Sequence, residues 1–373
     1  MAQITIWGDF KANQVDRLSI SGELTYLLNT SDINVVNFEA PVKSNGKAIA
    51  KSGPNISQHP DAPTWLERYG FHLISLANNH TMDYGLEGFQ KTKSLFRKSK
   101  VVGCGTWNEA YHLEIVRTSD NIRVGFFACT HCEFGTLTDK RSKDAIGCSW
   151  LSHPDVLKII KNGKESVDCL IVIAHAGVEY MDVPLPEIRE TYKSFIELGA
   201  DAVIASHPHV PQGWEIYQGK PICYSLGNFC FSQLKKDNYP PHWYESLCCI
   251  LTIDKPHIVN LQIRPTIYQA DKNYISDNGS ITFKEHIEQL NSILQDEHTY
   301  MEEVNKNVKR LLPHYMSQFA RGGLIPNPIS KGFIKGLVEG FMGRGFFNRV
   351  HSLNNIQCES HRWAIVRAMR SFK

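Results

Sequence analysis

Short apolar runs, broken repeatedly by helix-like segments, occupy the chain up to about residue 265, and that alternation limits the folds open to it. The runs "ITIW", "NVVNF", "FHLISLA", "DCLIVIA" and "DAVIAS" have the length and character of strands. Between them come a helical stretch around Asp16 to Leu28, "DAPTWLERYG" with Pro63 near its start and Gly70 as its stop, "GLEGFQKTKSLFRK", "PDVLKIIKNG" and "PEIRETYKSFIELG". "HLEIVRTSDNIRVGFFAC" reads as a hairpin around Ser119, Asp120 and Asn121, with "PICYSLGNFCF", "LCCILTID" and "HIVNLQIRP" as later strands. Strands separated by helices of roughly 10–15 residues predict βαβ units. The expected class is therefore α/β, with layered mixed β sheets flanked by helices over residues 1–265.

Residues 266–373 are expected to form a mainly helical extension. "KEHIEQLNSILQDEHTYMEEVNKNVKRLLPHYMSQFA" places Ile287, Leu290, Ile293 and Leu294 at helical spacing. Residues 321–350 are rich in glycine and phenylalanine with basic residues interleaved. Two readings stand for them: short helices packed on the main domain or a partner, or a segment lying on a membrane surface.

Forty basic side chains face thirty-eight acidic ones, which removes the electrostatic case for nucleic acid as a partner. The most apolar windows are shorter than the ~18 residues a bilayer span needs, and the chain opens directly as a strand. A cytoplasmic protein is expected, peripheral to the inner face of the membrane if the C-terminal segment docks there. Several of the ten cysteines lie in apolar runs (Cys129, Cys169, Cys223, Cys248, Cys249), as buried thiols in a reducing compartment do, and a cysteine-based zinc site is not expected.

Groups with ligand chemistry recur just after the predicted strands. Asp9 follows "ITIWG", Glu39 follows "NVVNF", Asn78, Asn79 and His80 follow "FHLISLA", His175 ends "DCLIVIAH", and His207 and His209 follow "DAVIAS". Each has an ordinary explanation taken alone, such as a helix cap for Asp9 or a turn around Pro208. Their recurrence on one end of five strands favours a metal site, because open α/β sheets bind ligands beyond the carboxyl ends of their strands. Carboxylate, amide and imidazole donors suit divalent Mn, Fe, Zn or Mg, without distinguishing them. Six donors are too many for one tetrahedral ion and suit two.

The blocks "WGDF", "NFEAPV", "SLANNHTMDYGLEGF", "AHAGVEY" and "GADAVIASHPHVPQGWEIYQGKPICYSLGNF" resemble, in order and spacing, the capsule-synthesis CapA family of poly-γ-glutamate capsule assembly. The resemblance covers residues 1 to about 265 and implies a calcineurin-like metallophosphatase fold. It implies that Asp9, Glu39, Asn79, His175, His207 and His209 bind metal and that His80 serves the leaving group. His175 and His207 would share one ion, with His209 reaching the other. Asn78, Glu179, Tyr180 and Asn228 are expected near substrate, or in the case of Asn228 near a metal-site histidine. Asp83 is expected either to bond the far nitrogen of His80 and raise its pKa, or to cap the following helix. The chain departs from the family where "ASHPH" stands for Gly-His-His-Pro-His and "HAG" for His-Trp-Gly, and where Phe10-Lys11-Ala12 offers no further ligand after Asp9.

Three functions follow from these residues. The first is a metal-dependent hydrolase of phosphoester bonds, acting on a phosphorylated or polymeric cell-surface precursor in capsule or exopolymer biosynthesis. The second is a non-hydrolytic factor that binds such a precursor, with the C-terminal segment docked on a membrane assembly. The third, resting on the family name, is γ-glutamyl amide hydrolysis or transfer.

Overall fold

A computed structural model describes residues 1–142, 144–232, 239–255, 257–321, 350 and 353–370. Its strands form two large mixed sheets. In the first, Ala2–Lys11 runs parallel to Ile33–Phe38, which is followed by Leu73–Ser75 and Lys100–Val102; Glu245–Asp254, His257–Gln269 and Tyr274–Asp277 extend it antiparallel on the other side. In the second, Arg123–Thr130, Cys169–His175 and Ala202–Ser206 lie parallel side by side, with Lys220–Cys223 beyond them. This is the layered α/β arrangement expected from the alternation.

Period-two burial explains how the layers assemble. Ile4, Ile6, Ile33, Val35 and Leu73 share one core with Phe126, Val172, Ile173 and Ile204, so the two sheets bury a common interior. Trp7, Phe10, Val36, Phe38 and Ile74 point the other way, into a second core. Leu24, Leu27, Trp65, Leu66 and Phe89, from the helices Gly22–Thr30, Ala62–Arg68 and Gly85–Leu95, cover that face.

The expected elements are displaced in three places. The helix expected from Asp16 starts only at Gly22, because Ile20 pairs with Ile275 and the Ser21 hydroxyl caps the Leu24 N–H. "PICYSLGNFCF" is two strands rather than one: Lys220–Cys223 joins the second sheet and Cys230–Phe231 the first, with Gly227 at φ 72° between them. The first sheet also continues past 265, since Gln269 pairs with Tyr274 across a turn.

The helices Ile281–Gln295, Glu297–Arg321 and Glu359–Arg370 follow the strands. Phe283, Leu290, Leu294, Val304, Ala364 and Ile365 belong to the same core as the two sheets, so these helices pack on the main domain. Residues 322–349, where the membrane-surface reading falls, lie outside the described residues. Among the described residues no helix is long and apolar enough to cross a membrane.

Candidate metal centre

The parallel strands of both sheets end at one rim. Asp9, Glu39 and Asn79 arrive there from the first sheet, His175 and His207 from the second, and His209 from the turn that follows. All six are buried.

Asp9 reaches this rim through a β-bulge. Trp7 pairs with Val36 but Asp9 pairs with Asn37, so one extra residue, Gly8, stands in the first strand. Regular alternation would turn Asp9 towards the helices; the bulge returns it to the face used by Ile4 and Ile6. The cause is a crossing backbone. The Asp9 N–H donates to the Gly227 carbonyl at 2.9 Å, and a Cβ on Gly8 would stand 2.0 Å from that oxygen.

The donors fall into two groups around Asp9. In one, Asp9, Glu39 and His209 hold their ligand atoms within 4.8 Å of one another, with His209 Nδ1 3.7 Å from Asp9 Oδ2 and Nε2 3.6 Å from Glu39 Oε1. In the other, His175 Nε2 lies 3.1 Å from both Asn79 Oδ1 and His207 Nδ1. His175 Nδ1 is 3.5 Å from Asp9 Oδ1. Asn37 fixes Asp9 by donating Nδ2–H to Oδ1 at 2.7 Å. His207 and His209 both have positive φ, 109° and 61°, so the His-Pro-His turn holds them in backbone geometry that such residues rarely adopt.

This concentration of donors lacks internal compensation. Among the described residues, both Glu39 oxygens and His207 Nε2 are buried without a hydrogen-bond partner. Burial, then the neighbouring Asp9 and Glu179, push the Glu39 carboxyl well above its ordinary range. Burial and the adjacent His131 and His175 keep His207 neutral by lowering its pKa far below that of free imidazole. A buried carboxylate without a hydrogen-bond donor is stabilised by a cation, and the donor set suits divalent metal ions.

His80 stands beside the first group, with Nε2 4.0 Å from Glu39 Oε1. Its other nitrogen meets two opposed partners, Asp83 Oδ2 at 2.7 Å and Lys51 Nζ at 3.0 Å. Asp83 and Lys51 are themselves in direct contact. Asp83 does not cap the helix; its Oδ2 instead accepts the Ile56 N–H, and the cap position, Tyr84, has no side-chain bond. Asp83 acts on the His80 pKa in the expected upward direction, but burial, followed by Lys51, outweighs it and the net shift is downward. Lys51 escaped the sequence reading because a lysine before Ser-Gly-Pro in a loop carries no local signal of burial.

Asn78 is committed elsewhere, and Asn228 takes the second of its two expected places, beside a histidine of the centre. Asn78 donates to Asn37 Oδ1 and the Phe38 carbonyl and accepts from the His80 N–H and Thr81 hydroxyl, which leaves no atom for a ligand. Asn228 pairs its Oδ1 with His209 Nδ1 at 3.0 Å and donates to the His209 and Trp243 carbonyls, so it orients His209. Tyr180 remains beside the centre, its ring 6.4 Å from that of His209, and Glu179 acts electrostatically on Glu39.

The sequence profile of the family described as bacterial capsule synthesis protein PGA_cap matches residues 1–233. The capsule biosynthesis protein CapA of Bacillus anthracis is 31% identical over 66% of this chain and 63% of its own length. The PGA biosynthesis protein CapA of Bacillus subtilis is 28% identical over 56% of this chain and 55% of its own length. The chain thus spans less than two thirds of the length of these relatives. Among solved structures, the sulfate thiohydrolase SoxB of Thermus thermophilus aligns with 71% of this chain and 56% of its own at 8% identity and a TM-score of 0.43. The profile match covers well over half of the residues, and the chain belongs to the bacterial capsule synthesis protein PGA_cap family.

Proposed function

We propose that this chain is a metal-dependent phosphoester hydrolase in the synthesis or tailoring of a capsular polymer, with a phosphorylated or polymeric cell-surface precursor as its substrate. The observation that carries the reading is the buried Glu39 carboxylate, unpaired and facing His209 and Asp9 at one side of a six-donor cluster. Asp9, Glu39 and His209 would hold one divalent ion, and Asn79, His175 and His207 a second, with Asp9 between them. Ions held there would supply the positive charge that cleavage of a phosphoester requires.

The chain's own residues supply the rest. His80 is the least buried of the imidazoles at the rim, and its Nδ1 is fixed by Asp83 and Lys51, so Nε2 is the nitrogen presented to a leaving oxygen. Asn37 and Asn228 keep Asp9 and His209 in place. Tyr180 and Trp243, with ring centres 6.0 Å apart, supply an apolar wall beside His209.

The test is hydrolysis of an aryl phosphomonoester and an aryl phosphodiester by protein stripped with chelator and reloaded with Mn²⁺. Activity that returns with the metal and is lost in His175→Ala and in His80→Ala supports the reading. Metal-loaded protein that cleaves neither ester overturns it and leaves binding of a precursor as the function of the site.

A further inference from the structure

A second group of metal-ligating side chains lies outside the six donors. His131, Glu133 and Cys358 each bring one ligand atom to within 4.8 Å of the others. Glu133 Oε1 is 3.0 Å from His131 Nε2 and 3.6 Å from Cys358 Sγ. Donors bound at about 2.0–2.3 Å to a tetrahedral zinc ion lie roughly 3.3–3.6 Å from one another; the Glu133–Cys358 separation is of that size and the His131–Glu133 separation is shorter.

His131 Nε2 supplies an independent sign. It is fully buried and 3.0 Å from the Glu133 carboxylate, which raises the His131 pKa against the opposing effect of burial, yet among the described residues it has no aligned hydrogen bond. The second nitrogen, Nδ1, lies 3.0 Å from Ser360 Oγ and 3.9 Å from Cys358 Sγ, and imidazoles that bind metals are commonly held through their second nitrogen. The three residues come from distant parts of the chain: Cys358 follows Glu133 by 225 positions and immediately precedes the helix Glu359–Arg370.

We propose that His131, Glu133 and Cys358 bind a zinc ion, at a site distinct from the six-donor centre, and thereby fasten the C-terminal helix to the sheet domain. The thiol selects the metal, because thiolate with imidazole and carboxylate suits Zn²⁺ and disfavours Mg²⁺ or Mn²⁺. Burial and the nearby Glu133 push the Cys358 thiol well above its ordinary range, so zinc would displace its proton to solvent on binding. Three protein donors leave a fourth position for water. The site adjoins the first centre, the His131 ring standing edge-on to His207 with centres 4.4 Å apart. Cys129 and Cys132, although in CxxC spacing, lie outside the group, and burial raises the Cys132 thiol to about 12.

The test uses the full chain, stripped and reloaded with cobalt(II) as a spectroscopic stand-in for zinc. A near-ultraviolet thiolate-to-cobalt charge-transfer band is expected in the parent protein and is lost in Cys358→Ser, and zinc content after dialysis falls by one equivalent in that variant. Glu133→Gln, which keeps the thiol, should also retain less zinc, and it decides the matter if Cys358→Ser fails to fold. His175→Ala keeps the band, so failure of the hydrolase reading is distinguishable from failure of this one. No band in the parent, a band that survives Cys358→Ser, or equal zinc content in the parent and both variants would show a hydrogen-bonded cluster without metal and overturn the proposal.

Discussion

Asp83 Oδ2 lies 2.7 Å from His80 Nδ1, while Lys51 approaches the same nitrogen at 3.0 Å, so one imidazole is balanced between a buried acid and a buried base. The two partners act in opposite directions: Lys51 lowers the His80 pKa and Asp83 raises it, with burial the largest influence downward. Asp83→Asn should therefore lower the His80 pKa further, and Lys51→Met should raise it towards that of free imidazole. NMR titration of His80 in the two variants, or the alkaline limb of a pH–rate profile, gives the sign. Shifts in the same direction would refute the balance.

Removing one member of the Lys51–Asp83 pair leaves the other charge buried, which typically destabilises by about 3–5 kcal/mol. The double substitution Lys51→Met, Asp83→Leu leaves neither charge behind. Urea midpoints should place the double variant above both single variants in stability. A double variant that loses the sum of the two single effects would show the pair to be uncoupled.

Glu39 titrates in the folded state above its ordinary range, mainly through burial and then through Asp9. The sign follows from proton binding: below the ordinary carboxylate range its contribution to stability is fully present, and it is lost as pH rises through the folded-state pKa. Without divalent ions, the parent should lose stability relative to Glu39→Gln as pH rises towards neutrality, by about 1–3 kcal/mol. Added Mn²⁺ should restore the parent and stabilise Glu39→Gln less, because that variant keeps only the donors of the second group. Chemical denaturation across pH, in chelator and in Mn²⁺, measures both effects.

Gly8→Ala should strike at the bulge. Its Cβ would stand 2.0 Å from the Gly227 oxygen; the Cβ is fixed by the backbone and the oxygen belongs to it, so neither can rotate away. A loss of about 3 kcal/mol or more is expected, in line with severe overpacking. Divalent-ion affinity should fall as well, because Asp9 is aimed by the same crossing. A denaturation curve and a metal titration on one preparation test the two consequences together.

Glu359 joins the C-terminal helix to the sheet domain by accepting from the Cys132 N–H at 2.7 Å, the Trp150 indole N–H and the Ser152 hydroxyl at 2.7 Å. Glu359→Ala leaves these donors unsatisfied at a cost of about 2–4 kcal/mol, and Glu359→Gln should lose less. Hydrogen exchange should rise selectively over Glu359–Arg370. Unchanged exchange there would show that the remaining anchors, among them Arg367, which donates to Glu187 at 2.9 Å, and the buried Ala364 and Ile365, hold the helix without Glu359.

The alternation of apolar runs with helical stretches determined the class of fold. The position of Asp9, Glu39, Asn79, His175, His207 and His209 after successive runs assigns them to one rim from the sequence alone, because parallel strands joined by helices end on the same side. By the same rule His131 was legible too: it follows "RVGFFACT", the neighbour of the strand that ends in His175.

Other features had no local signature. Strand periodicity alone would have turned Asp9 outward, and only the crossing at Gly227 inserts the bulge that brings it in. Lys51 is buried because a loop folds it over His80, and Asn78 and Asn228 are consumed by neighbours remote in sequence. Local pattern records which face of an element is apolar and where the element stops. Which distant groups then share hydrogen bonds, charge and ligand geometry depends on packing between elements, and that was decided by the tertiary structure.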